Sequence, residues 1–349
     1  MTDKPTVLDL FCGCGGLSHG FIEAGYDVLV GVDHWQDALD TFAFNHKDSK
    51  AIKADLFSIT PKQISEQTGI DAVDVIVGGP PCQGFSIAGK RLIDDERNQL
   101  YKKFVDFVAF YKPNAFMMEN VPNIISMGKG AVKDDILEDF SRLGYTVTYK
   151  ILLASDYGVP QNRRRAFFVG LKNKQGSSPD FEFPTPTFDE HVTCKQAICD
   201  LPEHSVEDGQ DYTTEPQNEY QRLMRANTNE LHNHKATVHT DKTVSIISQV
   251  PDGGNFKDLP EHLQSTRKVN IAWTRFSSTR PSFTIDTGHN HHFHYLYNRV
   301  PTVRESARLQ SFTDDFIFLK TKTSQYKQVG NAVPPLLAEV LAEKLKEYL

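Results

Sequence analysis

No run of about 18 apolar residues occurs in this chain, so no membrane-spanning helix is expected. The opening stretch Met1-Thr2-Asp3-Lys4-Pro5 lacks the apolar core of a secretory signal. Cysteine is scarce, five in 349 residues. An odd, small number argues against a disulfide framework and fits reduced thiols in a cytoplasm. Basic charge is not in excess, since 38 Lys and Arg stand against 45 Asp and Glu for a net charge of −7. That balance excludes a uniformly basic nucleic-acid-binding surface but leaves room for a local basic cleft. Internal repeats and low-complexity segments are also missing, which excludes solenoid and disordered classes. What remains is an ordinary globular composition, 39% hydrophobic and 24% charged, long enough for two domains or one large one.

The stretch that organises the rest is Gly78-Gly79-Pro80-Pro81-Cys82-Gln83-Gly84-Phe85-Ser86. It follows Val73 to Val77, an apolar run that reads as a buried parallel strand. Two glycines allow unusual φ, two prolines stiffen the next step, and a thiol is then presented. Loops at the carboxyl ends of parallel strands are where open α/β sheets bind and react with ligands. Cys82 is a candidate nucleophile there, and a small buried residue is the alternative.

Near the N-terminus, Thr6 to Leu10 reads as a strand, Phe11-Cys12-Gly13-Cys14-Gly15-Gly16 as a glycine loop, and Gly20 onward as a helix. Ser18 stands where the dinucleotide fingerprint requires its last glycine. A second strand ends in Asp33, about 20 residues past the glycines, where a carboxylate accepts from ribose hydroxyls or caps a helix. His34 and Trp35 follow, either able to pack on an adenine. A third short strand ends in Asp55. These three strand ends describe an adenosine-sized site, and the missing glycine favours S-adenosylmethionine over NAD. Cys12 and Cys14 lack zinc-site spacing and a second pair, so they read as small loop residues and no metal is expected.

Further on, Ala115 to Met118 reads as a strand ending in Glu119. In a parallel sheet Glu119 and Cys82 share one edge, and a carboxyl group beside a thiol suits addition to a ring. Arg163 and Arg165, two apart at a strand's start, project to one face as a fork or form a surface cluster. The charged segment 87–98 is a solvated face or a mobile lid. Cys194 and Cys199 read as structural, and His289 to His294 as a polar loop.

With these residues in hand the chain resembles the DNA (cytosine-5) methyltransferases, bacterial restriction-modification type. The matching stretches are Asp9 to Gly16, Pro80 to Ser86, Glu119-Asn120-Val121, Gln161 to Arg165, Arg304 to Phe312 and Gln328 to Pro335. The resemblance implies an α/β fold, a doubly wound mostly parallel Rossmann-like sheet with a smaller irregular target recognition domain. It implies a catalytic domain over 1–185 plus 320–349 and a recognition domain over 186–319. It assigns catalysis to Cys82, Glu119, Arg163 and Arg165. It assigns the cofactor to Asp9, Phe11, Cys12, Gly13, Gly15, Gly16, Asp33, His34, Asp55, Leu56, Pro80, Leu100, Asn331, Ala332 and Val333. Ser86, Lys90, Arg91, Gly253, Gly254 and Arg275 are expected to meet DNA. The implied activity is methyl transfer from S-adenosylmethionine to C5 of a flipped-out cytosine, through a covalent bond from Cys82 to C6. Double-stranded DNA is the implied partner, with a cognate restriction endonuclease acting on the same site. A monomer in the bacterial cytoplasm is expected. An RNA cytosine-5 methyltransferase is the neighbouring alternative, but that branch typically carries Thr where Ser86 stands. A non-catalytic DNA binder and an NAD-dependent oxidoreductase fit the motifs less well.

Overall fold

The computed structural model describes residues 4–81, 100–173, 179–187, 190–266, 273–288 and 292–349. Two compact units emerge. The first takes residues 1–153, 164–185 and 337–349, and the second takes 154–163 and 186–336.

The first unit is built on a seven-stranded sheet. Its strands are β1 (Thr6–Leu10), β2 (Asp27–Asp33), β3 (Lys50–Lys53), β4 (Val75–Gly78), β5 (Ala115–Asn120), β6 (Tyr145–Leu153) and β7 (Arg164–Lys172). Their order is β3-β2-β1-β4-β5-β7-β6. The pairs from β3 to β5 are parallel, while β7 runs antiparallel to both neighbours. Connections between the parallel strands are helical, as crossovers require. These helices are α1 (Gly16–Glu23), α2 (Gln36–Asn45), α3 (Pro61–Thr68) and α4 (Leu100–Tyr111), with α5 (Ala131–Arg142) leading into β6. Thr60 and Gln63 cap α3 reciprocally and Pro61 opens it. The central strands are apolar on both faces because helices cover both, so β4 reads Val-Ile-Val-Gly and is buried throughout. Leu8, Val30, Ile76, Phe104, Phe107, Phe116, Met118 and Phe140 form the core beside it.

Two consequences of this order place the site. The strand order reverses between β1 and β4, and ligand crevices of open sheets open there, past the strands' carboxyl ends. Because β7 is antiparallel, its first residues lie beside the last residues of β5, with Asn120 opposite Ala166 and Glu119 opposite Phe167.

The second unit has little regular structure. Two short ladders, Thr274–Arg275 with His292–Phe293 and Gln210–Asp211 with Glu230–Leu231, accompany short helices. One apolar cluster joins Ile246, Ile247, Val250, Leu259, Trp273, Phe293 and Val300, and the rings of Phe312, Phe316 and Phe318 pack together in another place. Charged side chains are buried beside them. Every residue of helix Val303–Leu309 is buried, including Arg304, Glu305 and Arg308. Arg299 grips Glu305 with two nitrogens at 2.7 and 2.8 Å. Of the expected polar loop, residues 289–291 lie outside the described residues, while His294 is fully buried and its Nδ1 accepts from the backbone of Leu296 and Tyr297. The sequence showed only a polar run there, with no sign that His294 is buried.

Candidate active site

The chain turns sharply at the end of β1. Phe11, Gly13 and Gly15 all have positive φ, at 58°, 55° and 94°. A Cβ on Gly15 would stand 2.3 Å from the His46 ring, so glycine is required there by space as well as by conformation. Nothing lies within 4 Å of where a Cβ on Gly13 would stand. Asp33, at the end of β2, straps this loop down. Its carboxylate accepts from the Gly13 amide at 2.9 Å and the Trp35 amide at 2.8 Å. His34 is largely exposed, with Nδ1 3.3 Å from Asp33, and Trp35 is half-buried. Asp55 is exposed and accepts from the Phe57 amide, while Leu56 is buried in the core. Cys12 and Cys14 are buried, and burial pushes both thiols up, Cys14 to about 12.

Beneath the loop sits Asp9, 1% exposed. Its Oδ2 accepts from the Ser18 hydroxyl at 2.6 Å. Its Oδ1 is buried with no hydrogen-bond partner among the described residues. Ser18 therefore departs from the glycine fingerprint for a reason the sequence concealed: its hydroxyl satisfies half of a buried carboxyl group. Burial pushes Asp9 up to about 7, with the Ser18 bond opposing and the charge of Asp33 adding. The folded protein thus holds the Asp9 proton more tightly than the unfolded chain. That stabilisation is full below the ordinary value of 3.8 and is lost as pH rises through about 7. Asp9→Asn is expected to gain thermal midpoint over wild type across that window and to level off above it. A difference independent of pH would show Asp9 ionised throughout.

On the other side of the strand reversal, the chain leaves β4 through close approaches. A Cβ on Gly78 would lie 2.1 Å from the Leu10 carbonyl oxygen, and one on Gly79 would lie 3.0 Å from Glu119 Oε2. The Asn120 side chain donates to the Pro80 carbonyl at 2.9 Å and so fixes the loop's first steps. Asn120 is a positioning residue that the sequence reading did not single out. Glu119, at the end of β5, is mostly buried and pairs with Arg165 Nε at 2.8 Å. The antiparallel entry of β7 brings Arg165 there. Leu100 opens α4 and is half-buried. Cys82, Ser86, Lys90 and Arg91 lie outside the described residues.

In the second unit the expected site residues separate by role. Arg163 is 2% exposed and donates to the carbonyls of Ile285 at 3.3 Å and Gly330 at 3.0 Å. It braces the helical turn before Asn331, whereas the sequence reading had it in a fork or a surface cluster. Asn331 is exposed, Ala332 half-buried and Val333 buried. The Ala332 carbonyl accepts from Gln310 at 2.6 Å. Their assignment to the cofactor rests on the resemblance. Gly253, at φ 70°, and Gly254 form a turn against Phe276 and Arg275. Arg275 corrects an expectation. It is 4% exposed and donates to the carbonyls of Val250, Ile247, His294 and Tyr297 and to the Asn298 side chain. A guanidinium with its donors engaged in this way pins the second unit together and has none left for a base edge. Charge and position made it look like a DNA contact because burial is not visible in sequence.

Comparison with known proteins decides the family. The model of the C-5 cytosine-specific DNA methylases matches residues 5–347. The chain belongs to the C-5 cytosine-specific DNA methylase family. The methylase is 40% identical to the Type II methyltransferase M.DdeI of Desulfomicrobium norvegicum, over 98% of this chain and 88% of that one. It is 39% identical to the Type II methyltransferase M1.HphI of Haemophilus parahaemolyticus, over 97% of this chain and 86% of that one. A proposed DNA modification methyltransferase encoded within an E. coli prophage has a similar structure, with TM-score 0.82, 28% identity and 99% of each chain covered. The S. pombe Dnmt2 methyltransferase, at TM-score 0.62 and 17% identity, shares the fold. The methylase is thus an enzyme of restriction-modification type, on the α/β sheet that its sequence implied. Among its described residues, no helix is long and apolar enough to cross a membrane.

Proposed function

We propose that this methylase transfers a methyl group to C5 of a cytosine extruded from a short specific site in double-stranded DNA, with Cys82 as nucleophile. The observation that carries the reading is the Glu119–Arg165 pair at 2.8 Å, on the strand next to the one that leads into Cys82. Cytosine C5 is a weak nucleophile. Addition of the Cys82 thiolate to C6 makes C5 electron-rich, and elimination of the thiol with loss of the C5 proton restores the ring. Glu119 holds the ring's N3 and exocyclic amine as charge shifts, and Arg165 keeps the Glu119 carboxylate aimed while facing the O2 side. A stacked base cannot reach these groups, so extrusion precedes chemistry.

The glycine-loop region fits S-adenosylmethionine on two grounds. Asp9 offers a buried carboxyl oxygen without a partner, and Gly13 leaves open the space where a side chain would stand. The loop 11–16 with Asp33 and Asp55 would hold the cofactor, and His34 or Trp35 would lie on its adenine. When bound it supplies the electrophilic methyl group and leaves as S-adenosylhomocysteine, and no metal is needed. The second unit would read the DNA sequence. By analogy with the Type II relatives, a nuclease cutting the same site is the expected partner, in a bacterial cytoplasm.

The test uses purified protein, labelled S-adenosylmethionine and a pool of duplex DNA carrying 5-fluorocytosine. Fluorine cannot leave as a proton does, so a denaturation-resistant protein–DNA complex is expected in wild type and none in Cys82→Ala. Sequencing the trapped DNA reads out the site. An adduct on RNA alone would replace the DNA substrate in this reading. No adduct on either would remove the mechanism.

A further inference from the structure

Phe283 is 47% exposed in a segment whose other side chains are held. On one side Ser282 is 1% exposed, and its backbone and hydroxyl both donate to the Pro160 carbonyl at 2.9 and 3.0 Å. On the other, the Thr284 hydroxyl donates to the Asn162 carbonyl at 3.2 Å, and the Ile285 amide donates to Gln161 Oε1 at 2.9 Å. Gln161 is itself fully buried and donates to the Leu309 carbonyl. The segment 282–285 is therefore laced onto 160–162. Arg165, the partner of Glu119, comes three residues after Asn162. Chain connectivity alone keeps their Cα atoms within about 11 Å.

The exposed ring is backed by other rings. His292 lies against Phe283 with centroids 5.4 Å apart and planes 16° apart. Phe276, 1% exposed, lies against His292 at 5.3 Å and 19°. His292 is on the short strand that pairs with Thr274–Arg275, and Arg275 anchors that strand through its five acceptors. A near-parallel set of rings on a braced scaffold, one of them open to solvent, offers an unstacked base a π-surface without choosing among base identities. Apolar side chains presented to DNA also act as wedges at an opened base step.

We propose that Phe283 is a base-stacking residue for the DNA substrate, meeting a base unstacked around the methylation site. It is a positioning residue for the reaction. The inference rests on the proposed extrusion of the target cytosine. It goes further by naming the side chain that stabilises the opened duplex.

The experiment measures steady-state methylation of unmethylated plasmid DNA with tritiated S-adenosylmethionine, for wild type and Phe283→Ala, Phe283→Leu and Phe283→Tyr. Stacking of one base predicts that kcat/KM for DNA falls about 5- to 100-fold in the Ala and Leu variants and is retained in Tyr. The KM for S-adenosylmethionine and the thermal midpoint should stay at wild-type values, since the ring is half-exposed. As a direct readout, Phe283→Trp should gain fluorescence that duplex DNA quenches, after subtracting the signal of the wild-type protein. A Leu variant as active as wild type would reduce the ring to an apolar filler and overturn the proposal. So would a loss shared equally between DNA and cofactor KM. If wild type itself transfers no methyl to DNA, the proposed function falls and this proposal falls with it. If wild type is active and the Ala variant matches it, the stacking role alone is refuted.

Discussion

Glu119→Gln is expected to slow single-turnover methyl transfer by about 10²- to 10⁴-fold, the range for removing a positioned acid–base group. The substitution keeps the shape of the side chain and leaves an amide oxygen for Arg165 Nε, now 2.8 Å from the carboxylate. In the proposed mechanism it removes the group that would share a proton with the ring as the thiolate adds. Folding should survive, because the close approach of Gly79 to Glu119 Oε2, at 3.0 Å from an added Cβ, tolerates an isosteric amide. Cofactor binding should also survive, since Asp9, Asp33 and the glycine loop are untouched. Rapid quench with tritiated S-adenosylmethionine measures the step. A rate within tenfold of wild type would mean that Glu119 only braces Arg165. Arg165→Lys separates these roles further, because a single ammonium lacks the planar fork that fixes the carboxylate's direction.

The carboxyl edge of the sheet was legible because its pattern is local. Each parallel strand is a largely apolar run that stops at a glycine or a carboxylate, so Asp33, Asp55, Gly78 and Glu119 could be placed at strand ends from the chain alone. Ser18 was visible only as a missing glycine, since its role depends on a carboxyl group nine residues back and on that group's burial. The second unit was much less legible. Arg163 and Arg275 have the charge and spacing of DNA contacts, yet both are buried and bonded to carbonyls more than 18 residues away in sequence. Hydropathy cannot foresee this, because it reads apolar periods and gives no sign of which charged side chains find partners inside. Phe283 illustrates the converse. Its run, Pro281-Ser282-Phe283-Thr284-Ile285, reads as an ordinary apolar alternation until exposure singles out one ring.

That paired interior leads to the second large effect, on stability. Asp314 is fully buried, accepts from Arg308 at 2.6 and 2.8 Å and from the Tyr212 hydroxyl at 2.5 Å, and lies 3.6 Å from Arg304. Arg308 also bonds Asp200 at 2.8 Å, and Asp200 in turn pairs with Arg225, whose guanidinium covers the Tyr212 ring at 3.5 Å. Asp314→Ala would leave Arg308 with one carboxylate where it had two, and Arg304 without its neighbouring anion, at full burial. The expected cost is about 3–5 kcal/mol, the range for breaking a buried ion pair by removing one partner. It should appear as a lower urea midpoint for the second unit. Burial alone would raise the Asp314 carboxyl, but Arg308, Arg304 and the Tyr212 hydroxyl together outweigh it and hold it below the usual range. A depressed carboxyl contributes stability that is present above its unfolded value and is lost as pH falls through the folded one. The wild-type advantage over Asp314→Ala should therefore be full near neutrality and shrink in acid below the ordinary 3.8. Glu305, held at about 2 by His294 and Arg299 against its own burial, follows the same rule. An Asp314→Ala protein as stable as wild type at pH 7 would show that Asp200 alone neutralises Arg308. The buried charges would then specify how helix Val303–Leu309 sits without holding the unit together.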